Sequence, residues 1–355
     1  MIYEEVNVVH VSNRIIISIA VSLYLCIALS SNVFAGTGRL NVLTTTPDLK
    51  SVVEFVGGDR VKADSLSWGS QDPHFVDAKP SSMIKARKAD LFIRIGMELE
   101  AGYESLILNG ARNPGIQAGQ PGHLDMSTGI TPLEVPTGDI DRSLGDVHPQ
   151  GNPHYWLDPL NAVIMAHRIA ERLARLSPED GRFFKDNARH FERMIYVHLF
   201  GDELVDKIGG KVLAGLLRED RLEPFLKKKG RGAIPGGWIN EMAPFKGRKI
   251  VAYHKSWLYF AHRFGLVIAN ELEAKPGISP GPRHINSLSK QMADEGISVI
   301  LMEPFYDDRP ALLVAKKTGA TVVKAANSVG GSTEAKDYFT LIDSIVKELT
   351  KVLVP

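Results

Sequence analysis

From Arg39 onward, short apolar runs alternate with stretches whose apolar residues recur at helical spacing. Residues 40–43, 61–66 and 91–95 read as strands, and residues 47–56 and 80–89 as the helices between them, the second opened by Pro80, Ser81 and Ser82. This βαβ alternation predicts a mostly parallel sheet with helices on its faces. After Gly110 the pattern gives way to a Gly- and Pro-rich stretch reaching Gly151, with a strand expected at 131–135. Residues 159–176 and 178–205 then carry apolar positions at helical spacing, among them Ile164, Ile169, Leu173, Phe184, Phe191 and Ile195. The second of these helices would run for about 28 residues, roughly 40 Å at 1.5 Å per residue. That exceeds what one lobe requires, so it is expected to be a rigid strut joining two lobes.

Residues 209–244 mix Leu-rich pieces with Lys227-Lys228-Lys229-Gly230 and Pro235-Gly236-Gly237, and read as an insertion. The alternation resumes at Lys249, with strands expected at 250–253, 266–270, 298–302 and 321–324 and helices at 256–264, 283–295, 310–318 and 335–353. The expected architecture is therefore α/β, with two lobes joined by a long rigid helix. The first lobe spans 36–177, the connecting helix 178–206 and the second lobe 207–355.

The first 35 residues follow another rule. Arg14 precedes an apolar run of about 15 residues, shorter than the roughly 20 a bilayer span needs. Ser30, Ser31 and Asn32 follow, then Val33-Phe34-Ala35, the layout of a signal peptide cleaved after Ala35. This predicts a secreted, periplasmic or otherwise extracytoplasmic protein. The chain's one cysteine, Cys26, falls inside that run behind Tyr24 and Leu25, not the small residues of a lipoprotein cleavage site. Disulfides and Cys-based metal sites are thereby excluded from the mature chain. With 42 Lys and Arg against 41 Asp and Glu, no global field steers it toward nucleic acid.

Candidate chemistry lies in three histidines, His74, His154 and His254, each just past the carboxyl end of an expected strand or in a loop at that edge, where open α/β sheets bind ligands. They are 80 and 100 residues apart, so only the fold could bring them together. If two lobes face one another, His74 and His154 would meet His254 across a cleft. Neutral imidazole is a borderline-soft donor that suits zinc, copper or nickel better than calcium or magnesium.

Their surroundings sharpen this. Asp72-Pro73-His74, then Asn152-Pro153-His154-Tyr155-Trp156-Leu157-Asp158-Pro159, then Tyr253-His254-Lys255-Ser256-Trp257, with Met302-Glu303-Pro304 and Asp307-Asp308-Arg309-Pro310 beyond, stand in an order that resembles the zinc- and manganese-binding solute-binding proteins of bacterial ABC transporters. The resemblance runs from about Leu40 to the C-terminus and is poor over 209–244. It implies a metal held between the lobes, delivery to a membrane permease, and His74, His154 and His254 as three ligands. Histidine at the third position, where manganese-binding members tend to have a carboxylate, implies Zn2+ over Mn2+. At the fourth position, where many members have Asp, this chain has Asn327 in Ala325-Ala326-Asn327-Ser328. The fourth donor is then water, Asn327 or Glu303, in that neighbourhood. Where zinc-specific members carry a His-rich loop, this chain has His123 and His148 with Asp125, Asp141 and Asp146, a candidate second metal site.

The expectation is a monomeric binding protein, not an enzyme, that captures and releases its ion without turnover. The alternative is a secreted zinc hydrolase using an open fourth position for an activated water. No HExxH pair is present, and Asp72 is the nearest candidate base. Adhesion, a role attributed to some members of that family, would need a surface anchor that the sequence does not display.

Overall fold

The computed structural model describes residues 38–138, 148–228, 236–273, 275 and 277–353. The expected signal peptide and its cleavage site lie outside them, as do Asp141 and Asp146.

Two four-stranded sheets, all parallel, are built with the same strand order. In the first, β1 (Leu40–Thr44), β2 (Val61–Ser65), β3 (Leu91–Arg94) and β4 (His123–Asp125) lie in the order β2-β1-β3-β4. In the second, β5 (Lys249–Ala252), β6 (Val267–Glu271), β7 (Val299–Met302) and β8 (Thr321–Lys324) repeat it as β6-β5-β7-β8. Strand order reverses beside β1 and beside β5, which opens a crevice at the carboxyl ends of both sheets. The expected strand at 131–135 is absent. The fourth strand is the three-residue His123–Asp125, registered through Phe92↔His123, too short to leave a periodicity in the sequence.

Strand alternation sorts the cores. Val42, Ile250 and Leu301 point into a layer common to both lobes, whereas their neighbours Leu43, Val251 and Ile300 face the outer helices of their own lobe. The shared layer runs from Val42 through Trp156, Phe191 and Trp257 to Leu353, so the described residues from Leu40 onward pack as one compact unit.

Helix Pro159–Leu176 forms as expected, capped by Asp158, whose carboxylate accepts from the Leu160 N–H. The long connecting helix forms as well, within shorter bounds than expected. Pro178–Asp180 is a 3-10 turn, the helix proper runs Gly181–Phe200, and Gly201 at φ 81° ends it before a short helix Asp202–Ile208. Its span is about 30 Å, shorter than expected. It still joins the lobes, packing on helix Pro47–Gly57 of the first and helix Gly237–Met242 beside the second. Residues 209–244 hold the helices Gly210–Arg218, Leu222–Lys228 and Gly237–Met242, with Leu213, Leu226 and Trp238 buried in the shared layer. No described helix is long and apolar enough to cross a membrane.

Candidate metal centre

Each histidine sits at the end of a locally determined turn. In Asp72-Pro73-His74, proline restricts the residue before it to extended backbone. The Asp72 Oδ1 then accepts both the His74 backbone N–H (3.0 Å) and the His74 Nδ1–H (2.7 Å). Asn152-Pro153-His154 repeats the device, Asn152 Oδ1 accepting from His154 N and Nδ1 at 3.0 Å each. His154 opens the 3-10 turn Tyr155–Leu157, which the Tyr155 hydroxyl fastens to the Ile95 carbonyl (2.6 Å) and the Trp156 indole to the Asn327 carbonyl (2.8 Å). His254 follows β5, and its Nδ1 donates to Glu273 Oε2 at 2.9 Å.

Because a carboxylate only accepts, Nδ1 carries the proton in His74 and His254, and the shared amide oxygen dictates the same for His154. Nε2 is left as a bare lone pair in all three. An imidazole backed by an acceptor in this way is oriented and made more basic as a ligand.

The three rings meet across the cleft. Their centroids are 5.1 Å (His74–His154), 5.4 Å (His74–His254) and 5.6 Å (His154–His254) apart. Each offers a donor atom, these atoms lie within 4.8 Å of one another, and all three residues are buried. Half-buried His148 lies outside that group and beside it, its Nε2 3.2 Å from His74 Nε2. A tetrahedral ion with Zn–N bonds of 2.0–2.1 Å has ligand–ligand edges of about 3.3 Å, so this pair is already at coordination spacing. Burial first, then the nearness of the His74 and His254 rings, which disfavours a further positive charge, depress His148 to about 3. The same causes hold His154 well below the usual histidine value. Both are neutral lone-pair donors at pH 7.

His123 goes elsewhere. It is buried beside Phe92, with Nε2 3.0 Å from Glu104 Oε1 in a network with Arg94 and Asp125. The second site expected around His123, His148 and Asp125 is not assembled among the described residues; His148 joins the three ligand candidates instead. Asn327 and Glu303 are both buried, and Asn327 Oδ1 and the two Glu303 oxygens have no hydrogen-bond partner by geometry, although Ser256 lies beside Glu303. Glu303 is outside the three-histidine group. Burial raises its carboxyl to about 8, so it is protonated near neutrality.

Glu273 went unnoticed in the sequence. Register alone reveals it: Ala252 pairs with Glu271, and two residues on, the Glu273 N–H reaches the Tyr253 carbonyl, which sets the acid beside His254.

Two parallel α/β lobes enclosing a nitrogen-lined pocket at their strand ends define a two-lobed binding protein whose solute is a metal cation. The family model of zinc-uptake complex component A, periplasmic (ZnuA), matches residues 42–196 and 237–352, and the chain belongs to that family. The unmatched stretch between the two blocks falls largely on the segment read as an insertion. The manganese ABC transporter substrate-binding lipoprotein PsaA of Streptococcus pneumoniae is 22% identical over 288 residues, 80% of this chain and 78% of the relative. The iron-binding protein YfeA of Yersinia pestis is 24% identical over 319 residues, 88% and 86% of the two chains. A crystal structure of ZnuA superposes with a TM-score of 0.65 at 20% identity, over 88% of this chain and 99% of the other. The protein is thus an extracytoplasmic substrate-binding component of a metal ABC transporter. It is not an enzyme, and the hydrolase alternative falls with that membership.

Proposed function

We propose that this protein captures Zn2+ with the Nε2 atoms of His74, His154 and His254, takes His148 as fourth donor, and delivers the ion to the membrane permease of its importer. The observation that carries this reading is the cluster of three buried imidazoles, each with Nδ1 engaged by a neighbouring acceptor, with the half-buried His148 Nε2 3.2 Å from His74 Nε2. An all-nitrogen set with no ionised carboxylate favours zinc, whereas manganese prefers oxygen donors. Relatives named for manganese and iron make the metal the point to test. The protein acts as a monomer, the cleft being completed by the two lobes of one chain. Residues 1–35 are a signal peptide removed on export, and lobes at 36–177 and 207–355 flank the connecting helical segment at 178–206.

The test is calorimetric titration of the metal-stripped protein lacking residues 1–35. One zinc bound tightly, manganese far more weakly, and a large loss on changing His74, His154 or His254 to Ala supports the reading. Indifference to all three changes refutes it. Parallel titrations of His148→Ala, Asn327→Ala and Glu303→Gln identify the fourth donor, with His148→Ala expected to cost most.

A further inference from the structure

The two ligand candidates of the first lobe share a construction that the third lacks. His74 and His154 each follow an Asx-Pro pair whose side-chain oxygen takes both the backbone N–H and the Nδ1–H of the histidine two residues on. In each pair the other polar atom of the Asx side chain reaches across the cleft. Asp72 Oδ2 accepts from the Tyr306 hydroxyl at 3.0 Å, and Asn152 Nδ2 donates to the Lys255 carbonyl at 2.7 Å. Tyr306 lies in the turn after β7, and Lys255 follows His254, so both partners belong to the second lobe. His254, by contrast, is oriented by Glu273 of its own lobe.

Tyr306 is itself held independently of the first lobe. Its ring stacks on Tyr253 with centroids 4.7 Å apart and planes 10° from parallel, and its N–H contacts the Glu303 carbonyl at 3.4 Å. Tyr253 is the residue before His254, so the stack leaves the Tyr306 hydroxyl at a fixed height above the cleft.

We infer, on the reading that these histidines hold the cation, that Tyr306 is a positioning residue: through Asp72 it makes the grip of His74 on the ion depend on the lobes being closed. A carboxylate rotates readily about its terminal torsion. With Oδ2 taken by Tyr306, Oδ1 stays in line with the imidazole. When the lobes part, the Tyr306 bond and the Asn152–Lys255 bond are lost together; Asn152 Nδ2 keeps a second, longer contact to Glu134 Oε2 (3.3 Å) in its own lobe, so the support of His74 through Asp72 suffers most. His254 keeps Glu273. Opening therefore weakens the grip of His74 above all, and the ion leaves the first lobe before the second.

The test is zinc dissociation from Tyr306→Phe, which keeps the stacked ring and deletes the hydroxyl, measured by stopped-flow chelator competition on the purified protein. Expected is dissociation about 10-fold faster, at the low end of what outer groups contribute to metal affinity. Association and the melting temperature of the metal-free protein should stay unchanged, which a merely structural role would not predict. In an Asp72→Ala background, Tyr306→Phe should add nothing, because the hydroxyl acts through that carboxylate. Wild-type dissociation from Tyr306→Phe, or the same acceleration with and without Asp72, overturns the inference. A wild-type chain that binds no zinc overturns the functional reading itself and is distinguished by the titration above.

Discussion

Arg263 and Asp158 form a buried ion pair that clamps the lobes beside the candidate metal centre. Arg263, on helix Leu258–Phe264, donates from Nε to Asp158 Oδ1 (2.8 Å) and from Nη2 to Oδ2 (2.7 Å), with side chains 7% and 5% exposed. Replacing Arg263 by Met retains much of the apolar volume and leaves the carboxylate buried opposite no charge. Such a loss costs about 3–5 kcal/mol. With an unfolding entropy of about 2.1 cal/mol/K per residue over a unit of roughly 320 residues, each kcal/mol lowers the melting temperature by about 1.5 °C. The expected drop is about 5–8 °C in metal-free protein by differential scanning calorimetry. Asp158→Asn in the Arg263→Met background removes the orphan charge and keeps an N-cap for helix Pro159–Leu176, since Asn caps as well as Asp. It should restore at least half of the loss. A drop under about 1.5 °C, or no recovery in the double variant, would refute the claim that an uncompensated buried charge is what Arg263 prevents.

Other consequences are equally accessible. A Cβ on Gly69 would lie 2.1 Å from the Val329 carbonyl oxygen and 2.4 Å from backbone atoms of Gly330 and Gly331, so Gly69→Ala should cost about 1–3 kcal/mol by denaturant titration and loosen zinc binding by pushing the His74 loop off its support. Glu273→Gln, which removes the charge behind His254, should weaken zinc binding about 10- to 100-fold in calorimetry, and an unchanged affinity would show that His254 needs no such support. Metal-free protein should be most stable on the acid side of neutrality, at about pH 4–5, in thermal melts. Burial raises Asp48 and Glu100 to about 7 and Glu303 to about 8 in the folded state, so the folded protein binds more protons than the unfolded one above about pH 4 and stability falls as pH climbs through 8. His148, at about 3, and His154, also depressed, stay neutral when folded while their unfolded counterparts protonate below about 6.5, which offsets most of that fall between about pH 4.5 and 6.5 and lowers stability below about 4.5, where the carboxyls are protonated in both states. A stability that rose steadily to pH 9 would contradict these assignments.

Local physics made much of the molecule legible from the chain. Helix Pro159–Leu176 appeared at its true bounds because Asp158 and Pro159 mark its start and its buried face recurs at helical spacing. β8 likewise coincides with the stretch expected at 321–324. The Asx-Pro-His turns are also local, since a single proline separates the acceptor from the imidazole it orients. Tertiary structure alone decided the rest. β4 is three residues long and exists because β3 offers it an edge. The interlobe helix stops at Phe200 because Gly201 takes a left-handed φ, and the Leu-rich segment beyond folds back onto the shared core, where burial counts for more than periodicity. The gathering of His148 with His74, the placing of Glu273 by strand register, and the reach of Tyr306 to Asp72 join residues 74, 19 and 234 positions apart. Hydrogen bonding and coordination act over about 3 Å, a range that a sequence can specify for neighbours but that only a folded chain can satisfy between distant residues.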